Sequence, residues 1–281
     1  MKKPIVVGLG EVLWDMLPDG KRAGGAPANV AYHAAHSGAE GWLVSAVGAD
    51  PLGRELAELL AQHGVQSVLP QVPYPTGQVN VRLCQGIPSY EIESDVAWDH
   101  IPLTPQARQL LSGADAVCFG SLAFRSEESH RTLSALLKSM PDGALKVLDI
   151  NLRAPYYSAQ LLSELLKMCN ALKLNDEEVK ILSALFDIGG TAEEVCRELL
   201  ARYRLKFLIL TAGSSYSEVY TPGAVSHINT PSVQVVDTVG AGDSFTASFV
   251  SATLQGCSLT QAHERAVQTA ARVCGHKGAW T

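Results

Sequence analysis

The sequence predicts an α/β fold in which helices cover a mostly parallel sheet, giving a three-layer α/β/α sandwich. Short apolar, strand-like runs alternate along the chain with longer segments whose apolar residues recur at helical spacing. Only one region, residues 76–101, breaks this rhythm by alternating residue by residue. The composition, with 47% hydrophobic and 18% charged residues in a chain of 281, is typical of a globular protein with a large core.

Each element follows from its own pattern. Strands are predicted where branched apolar residues cluster in short runs, at residues 4–8, 42–47, 116–119, 146–150, 206–211 and 232–236. Helices are predicted where apolar residues recur every three or four positions, at residues 27–37, 53–63, 129–138, 161–168, 192–203, 244–254 and 259–273. Because no repeat or long linker interrupts this series, we expect a single domain over residues 1–281.

Residues 76–101 are predicted to form a β-hairpin. Polar and apolar residues alternate in two stretches, 78–83 and 89–93, with Gly86 and Pro88 between them. This alternation is typical of a sheet with one solvent-facing side. We expect a small β-sheet lid, built from about residues 11–23 and 73–101 inserted in the core. Its apolar face would either close on a ligand or pack against a second copy, and we expect a homodimer through the lid.

Charge and cysteine usage narrow the class of protein. The net charge of −6, without a basic cluster, argues against a partner nucleic acid. The apolar start is interrupted by Glu11 and Asp15, and no stretch approaches membrane-spanning length, so we expect a cytoplasmic protein that does not bind membrane. The six cysteines form no C-x-x-C pair, which indicates neither a zinc site nor a disulfide framework.

The most informative segment is DTVGAGDSF, residues 237–245, at the start of a predicted helix. Gly240, Ala241 and Gly242 carry almost no side chain, so their N–H groups can approach an anion at the positive end of the helix dipole. The dipole also favours the ionised form of Asp243, which could accept a proton from a hydroxyl group. The segment predicts a phosphate pocket beside a general base. A tight turn followed by a favourable first-turn acid is the simpler alternative.

A second polar cluster follows the first predicted strand. The segment GEVLWD, residues 10–15, comes directly after that strand, and GGAPAN, residues 24–29, opens a helix with Pro27 in its first turn. Ligands of open α/β sheets bind outside the carboxyl ends of the strands. The groups that could hold a polyol there are Asp15, the backbone of Gly24 and Gly25, and Asn29. A solvated loop acid and a helix-surface amide are the alternatives for Asp15 and Asn29.

Together these segments resemble the signatures of the ribokinase-like (pfkB) carbohydrate kinase family, and residues 10–15 and 24–29 look most like its fructokinases. Further matches occur in family order at residues 48–53, 149–153, 175–178, 211–213 and 277–279. The resemblance spans nearly the whole chain. It implies a ribokinase-like, Rossmann-like sandwich with a β lid over the sugar, and an ATP-dependent sugar kinase that uses Mg²⁺.

The resemblance also implies roles for single residues. Asp243 would be the catalytic base, with the amides of Gly240, Ala241 and Gly242 as its anion hole. The implied sugar contacts are Asp15, Gly24, Gly25, Asn29 and the lid residues Asn80, Arg82 and Trp98. Arg153 matches a position that faces the transferring phosphate or the substrate, and a solvated loop arginine is the alternative. The implied nucleotide contacts are Asn175, Thr211, Gly213, Gly240, Gly242 and Lys277.

Metal sites are implied in the same way. Asn175 and Glu178 match an N-x-x-E motif that holds Mg²⁺ through water, although acids at a helix start are also favourable without a metal. The backbone at Asp237 and Val239 matches a loop that binds a monovalent cation, which implies activation by K⁺. The chain departs from the family at Tyr216, where a second glycine is common, because tyrosine does not easily adopt a glycine-only conformation.

The expected reaction is transfer of the γ-phosphoryl group of ATP to a primary hydroxyl of a ketose, D-fructose. The alternatives are a related kinase acting on 2-keto-3-deoxygluconate, ribose or a nucleoside, a catalytically silent sugar-binding relative, and a structural protein without a ligand. Neither G-x-x-x-x-G-K-[ST] nor G-x-G-x-x-G after a strand occurs, so the sequence does not support a P-loop or dinucleotide-binding protein.

Overall fold

Three sheets and the helices around them form the described part of the molecule in the computed structural model, which describes residues 2–84 and 87–281 and the side chains outside residues 81–90; the smallest sheet is the parallel pair β5-β7 (Val47–Gly48 and Gln71–Val72). The strands in this part of the chain are β1 (Ile5–Leu9), β2 (Leu13–Leu17), β3 (Gly20–Gly24), β4 (Glu40–Val44), β5 (Val47–Gly48), β6 (Gln66–Val68), β7 (Gln71–Val72), β8 (Gln78–Cys84), β9 (Ile87–Ile92), β10 (Ala116–Phe119), β11 (Leu145–Asp149), β12 (Ala171–Asn175), β13 (Phe207–Ala212), β14 (Tyr216–Tyr220) and β15 (Val225–Asn229). The helices are α1 (Ala26–His36), α2 (Pro51–Gln62), α3 (Pro105–Ser112), α4 (Glu127–Ser139), α5 (Ala159–Met168), α6 (Asp176–Phe186), α7 (Ala192–Arg202), α8 (Ala241–Leu254) and α9 (Leu259–Cys274).

The main sheet has nine strands in the order β15-β14-β13-β12-β11-β10-β1-β4-β6. All neighbouring strands from β13 to β6 are parallel, whereas β14 and β15 add antiparallel pairs at one edge. Successive side chains of a strand point to opposite faces, so Val6 packs into the core beneath α8 and α9 while Val7 packs into the core beneath α3 to α7. The predicted three-layer α/β/α sandwich is confirmed.

A smaller, four-stranded sheet has the order β3-β2-β8-β9. We call it the small sheet. Strands β8 and β9 pair antiparallel, as predicted, but Pro88 lies within β9 opposite Leu83 rather than in the turn. Strand β2 joins β8 in parallel, with Asp15 opposite Val79. The two segments predicted to build a lid therefore form one sheet, and its closure over a ligand stays a prediction.

The strand predicted at residues 232–236 is wrong, because this segment contains no strand in the structure. Its valine-rich composition favours an extended chain, but the segment lies beside no strand in the described part of the main sheet. Val235 and Val236 are 60% and 52% exposed, and the amide of Val236 donates to the carbonyl of Cys274. A loop, not a strand, therefore leads into α8. None of the described helices is long and apolar enough to cross a membrane.

Candidate active site

A cavity of about 710 Å³ lies where the carboxyl ends of the central strands face the small sheet. Its volume suits a small-molecule ligand. The two polar segments of the sequence, residues 10–29 and 237–243, meet in its wall. The described residues that line this main cavity include Glu11, Asp15, Arg22, Gly25, Asn29, Val79, Ile92, Arg153, Lys173, Asp237, Val239, Gly240, Gly242, Asp243 and Gly278.

Asp243 lies in the first turn of α8. The helix begins after Gly240, which has a left-handed backbone with φ of 75°, and a Cβ there would stand 2.4 Å from the Cβ of Ala279. Burial raises the pKa of the Asp243 carboxyl, while a hydrogen bond from Asn29 and the charges of Lys173 and Arg153 oppose this rise. The helix dipole alone predicts the opposite shift. A carboxylate with a raised pKa is a stronger proton acceptor, so the burial suits a general base.

The amides before Asp243 are not equivalent. The N–H of Ala241 donates to the carbonyl of Thr238 at 3.3 Å, so this amide is already engaged. The N–H groups of Gly240 and Gly242 have no acceptor among the described residues. Two of the three amides predicted to form the anion hole are therefore available for an anion, at the positive end of a 14-residue helix.

Asn29 contacts the base rather than lying free for a sugar. Its Nδ2 donates to Oδ2 of Asp243 at 2.8 Å, and its Oδ1 accepts from Nε1 of Trp280 at 2.9 Å. An indole N–H can only donate and a carboxylate can only accept, so these two partners fix the orientation of the amide. Sequence reasoning missed Trp280, which stacks on Tyr32 with ring centroids 5.2 Å apart. The C-terminal segment thus holds the side chain that orients Asp243.

Replacing Trp280 with phenylalanine should lower kcat by about 3- to 10-fold, the equivalent of one lost neutral hydrogen bond. The ring would still stack on Tyr32, but the Asn29 amide would lose the partner that fixes its orientation. Steady-state kinetics measure the effect, together with the melting temperature.

The matched control is Trp42→Phe. The Nε1 of Trp42 is buried and has no hydrogen-bond partner among the described residues. This variant therefore removes an indole N–H that does not orient another side chain. We expect Trp42→Phe to keep wild-type kcat. Equal kcat in the two variants would show that the Trp280 hydrogen bond does not act on the base.

The cavity wall also carries a buried acid, Glu11, and a half-buried one, Asp15. Burial raises the pKa of Glu11 to about 7, and burial likewise raises the pKa of Asp15 to about 6 against the opposing charges of Arg153 and Arg22. Glu11 is 3% exposed, and its Oε2 has no partner among the described residues. Such a carboxyl is ready to bind a hydroxyl group from a ligand. Glu11 belongs to the segment GEVLWD, residues 10–15, but the sequence did not predict a role for it.

Two glycines make this arrangement sterically possible. A Cβ on Gly24 would stand 2.3 Å from Oδ2 of Asp15. Gly25 has φ of 103°, and a Cβ there would stand 2.6 Å from the carbonyl oxygen of Glu11. Their backbones therefore lie directly against the two acids, as close approach by glycine allows.

Glu11→Gln should make the unliganded protein more stable at high pH. The pKa of Glu11 is higher in the folded than in the unfolded chain, so the unfolded chain loses this proton first and stability falls as pH rises from about 4.5 to 7. Glutamine removes the penalty, which is about 3 kcal/mol by linkage. The gain in unfolding free energy should be large at pH 8 and small at pH 5, as measured by urea unfolding.

The exposed Glu264 provides the control for that measurement. Glu264→Gln should leave the unfolding free energy nearly unchanged at both pH values. If Glu11→Gln shows the same gain at pH 5 as at pH 8, the raised pKa of Glu11 is not the cause.

Three lid residues were predicted to contact the sugar, and two of them, Trp98 and Asn80, are not among the described residues of the cavity wall. Trp98 is 0% exposed and packs in the core under the guanidinium of Arg125, 3.9 Å from its ring centroid. Asn80 lies next to Val79, which faces the cavity, so the alternation along β8 directs Asn80 to the other face, where it donates to Glu93 at 3.1 Å. The side chain of Arg82 lies outside the described residues.

Three of the residues predicted to contact the nucleotide, Asn175, Thr211 and Gly213, lie together at the carboxyl ends of β12 and β13. Asn175 ends β12 directly opposite Thr211 of β13, and Gly213 follows with φ of 51°. Tyr216 begins β14 and stacks on His227, so it adopts an ordinary extended conformation instead of a glycine-only one. Lys277 is exposed and pairs with Asp19 at 3.7 Å. Of the residues predicted to contact the nucleotide, Gly240 and Gly242 line the main cavity, whereas Asn175, Thr211, Gly213 and Lys277 are not among its described lining residues.

The predicted magnesium residues form a helix cap. The Oδ1 of Asn175 accepts from the amides of Glu177 and Glu178, while the two carboxylate oxygens of Glu178 accept from the amides of Leu152 and Asn175. This is the capping box at the start of α6. Because both oxygens of Glu178 already accept hydrogen bonds, the observed contacts support the capping alternative. No cluster of three metal-binding side chains occurs in the described part of the chain.

In the loop predicted to bind a monovalent cation, the side chain of Asp237 accepts hydrogen bonds from nearby backbone amides. The carboxylate of Asp237 accepts from the amides of Val239 at 3.0 Å and Gly278 at 2.9 Å. These contacts tie the loop before α8 to the C-terminal segment. Binding of K⁺ by the backbone of this loop stays a prediction.

The fold and the cavity together define an α/β kinase whose acceptor is a hydroxyl group. The sequence pattern of the pfkB family carbohydrate kinases matches residues 19–281. A fructokinase of Klebsiella pneumoniae is 30% identical over 262 residues, covering 86% of this chain and 82% of the relative. The chain belongs to the pfkB family and is a sugar kinase, a phosphotransferase with an alcohol group as acceptor.

Solved structures agree with this assignment. A sugar kinase from Pyrococcus horikoshii in complex with ATP superposes with a TM-score of 0.84 at 27% identity, covering 98% of this chain and 94% of that one. A fructokinase from Xylella fastidiosa with bound ATP superposes with a TM-score of 0.87, covering 100% of this chain and 94% of that one. At 23% identity, the second similarity shows the fold alone.

Proposed function

We propose that the protein transfers the γ-phosphoryl group of ATP to a primary hydroxyl of a ketose, D-fructose. One observation carries the proposal: Asp243 and the free amides of Gly240 and Gly242 share one cavity with the carboxyls of the buried Glu11 and the half-buried Asp15. Asp243 can act as a base and the two amides can bind the phosphoryl donor, whereas the carboxyls of Glu11 and Asp15 can bind the hydroxyl groups of a polyol. The similarity to a fructokinase supports the proposed sugar, and the similarity to an ATP-bound sugar kinase supports ATP as the phosphoryl donor.

The chemical step uses Asp243 as the base. The sugar hydroxyl gives its proton to the Asp243 carboxylate as its oxygen bonds to the γ-phosphorus, and the bond from that phosphorus to the bridging oxygen breaks with its electron pair leaving on ADP. The transition state is loose, so positioning and charge stabilisation contribute most, and the proton moves late. The amides of Gly240 and Gly242 would stabilise the phosphoryl oxygens. ATP would enter as its Mg²⁺ complex.

The charges in the cavity favour a neutral sugar. The described wall carries four acids, Glu11, Asp15, Asp237 and Asp243, and three bases, Arg22, Arg153 and Lys173. A substrate carboxylate or phosphate near Glu11 and Asp15 would meet charge of its own sign whenever these groups are ionised. A ketohexose instead presents hydroxyl donors to both carboxyls. The two carboxyls support the proposal of fructose rather than 2-keto-3-deoxygluconate as the acceptor.

A coupled assay for ADP release tests the proposal across fructose, ribose, glucose, 2-keto-3-deoxygluconate and adenosine, with and without K⁺. We expect the highest kcat/KM with fructose, and stimulation by K⁺ through the loop at Asp237 and Val239. A higher kcat/KM with another acceptor would replace fructose by that acceptor. No ADP release with any of them would favour the silent sugar-binding relative.

We also propose that the protein forms a homodimer through the small sheet. Strands β3 and β9 are the edges of this sheet in the described part of the chain, and an edge strand can pair with or pack against another copy. Light scattering across a concentration series tests this, since a constant monomer mass would exclude the dimer.

A further inference from the structure

Lys173 is a buried basic residue that takes no part in the proton transfer to Asp243. It lies within the apolar strand β12, with its side chain 8% exposed, and its Nζ donates to Oδ1 of Asp149 at 3.1 Å. A buried amine paired in this way with a buried carboxyl group forms an ion pair inside the protein.

This charge lies against the anion-binding end of α8. A Cβ on Gly242 would stand 3.0 Å from Nζ of Lys173 and 3.5 Å from its Cε, and both residues line the main cavity. An anion bound to the Gly242 amide would consequently lie in the neighbourhood of the ammonium group. An ammonium has three N–H donors, and Asp149 is the one acceptor that Nζ has among the described residues. Two donors remain for a ligand.

Asp149 is itself held in place. Its second oxygen, Oδ2, lies 3.4 Å from the hydroxyl of Thr246, whose proton has a nearer acceptor in the carbonyl of Gly242 at 3.0 Å. Asp149 therefore joins β11 to Lys173 of β12 and lies beside α8. A lysine already held by an acid loses little side-chain freedom when it binds an anion. Such a preorganised cation can stabilise the negative charge that develops in the transition state.

We propose that Lys173 binds an oxygen of the γ-phosphoryl group of ATP during transfer, opposite the amides of Gly240 and Gly242, and that Asp149 is its positioning residue. This inference rests on the proposed kinase function and adds a side-chain cation to the anion hole. Lys173 keeps its proton throughout, so its role is electrostatic and no bond to it forms or breaks.

Lys173→Met tests the role because methionine keeps most of the length and volume but has no charge. We expect kcat to fall by about 10²- to 10³-fold, the usual loss for one anion-hole donor, with the KM for the sugar changed by less than about threefold. Calorimetry should show weaker binding of β,γ-methylene-ATP by about tenfold and unchanged binding of ADP, because only the triphosphate analogue places a phosphonate at this point.

The double variant Lys173→Met/Asp149→Asn separates chemistry from stability. The single variant leaves Asp149 buried without its partner, which lowers the melting temperature, and the double variant removes both charges and should restore it. We expect kcat to stay low in the restored protein. Recovery of kcat in the double variant, or kcat within about threefold of wild type in Lys173→Met, would reduce Lys173 to a structural partner of Asp149.

The two proposals fail in distinguishable ways. If the wild-type protein phosphorylates none of the acceptors, the proposed substrate is wrong, yet the comparison of β,γ-methylene-ATP with ADP still reports on Lys173. If the wild-type protein phosphorylates fructose and Lys173→Met binds both nucleotides as wild type does, the contact to the γ-phosphoryl group is wrong while the kinase function stands.

Discussion

Asp243→Asn is expected to reduce kcat by about 10²- to 10⁴-fold, the usual contribution of a general base. Asparagine has the same shape and can still accept the hydrogen bond from Asn29, but it cannot take the proton of the sugar hydroxyl. Because burial disfavours the charge at this position, the neutral side chain should leave the melting temperature equal to or above that of wild type. Steady-state kinetics and thermal unfolding measure the two effects on one preparation.

Asp142, which is exposed on the surface, supplies the matched control, since Asp142→Asn makes the same chemical change far from the cavity. Its kcat should equal that of wild type. If Asp243→Asn kept more than about a tenth of the wild-type kcat, Asp243 would not be the base. General-base catalysis normally contributes more than about tenfold to kcat. A fall in kcat together with an early melting transition would point instead to a folding defect.

Gly242→Val should be at least as harmful, with kcat reduced by about 10²- to 10³-fold or more. A Cβ at this position would stand 3.0 Å from Nζ of Lys173, so the branched side chain must displace the ammonium group and cover the free amides. Position 242 has an ordinary helical backbone, unlike Gly240, and the valine therefore adds no positive-φ strain. The loss should appear in kcat and in nucleotide binding.

Gly189→Val serves as the comparison. Gly189 also has no positive φ, and a Cβ there would meet no described atom within 4 Å. This variant should be fully active. Normal activity in Gly242→Val as well would argue against a phosphate site at the start of α8, and would leave Asp243 without a nearby phosphoryl group.

The alternating pattern predicted the class of fold because each element carries its own periodicity. Strand β1 and helix α8 are clear in the sequence for this reason, and the three-layer sandwich follows from their alternation. The segment 232–236 shows the limit of such reasoning. Its valines favour an extended chain, yet an extended segment becomes a strand only where a partner strand is available.

In the candidate site, too, some residues could be predicted from the sequence and others could not. Asp243, Asp15 and Gly242 could be selected from the sequence because short motifs join a residue type to a helix start or a strand end. Lys173 also left a signal, a single charge inside the apolar run ALKLN, residues 171–175, although its partner was not evident. Charged residues in buried strands need a partner, and that partner is usually remote in sequence.

The sequence by itself determined the α/β class, the positions of the two polar motifs and the family, because periodicity, glycine spacing and residue type are local properties. Only the tertiary structure decided which polar groups meet: Asn29 with Trp280, 251 positions away, and Lys173 with Asp149. It also buried Trp98, which the sequence placed in the lid. Hydrogen bonds and packing of this kind depend on distances between elements, and those distances are set by the topology of the whole sheet.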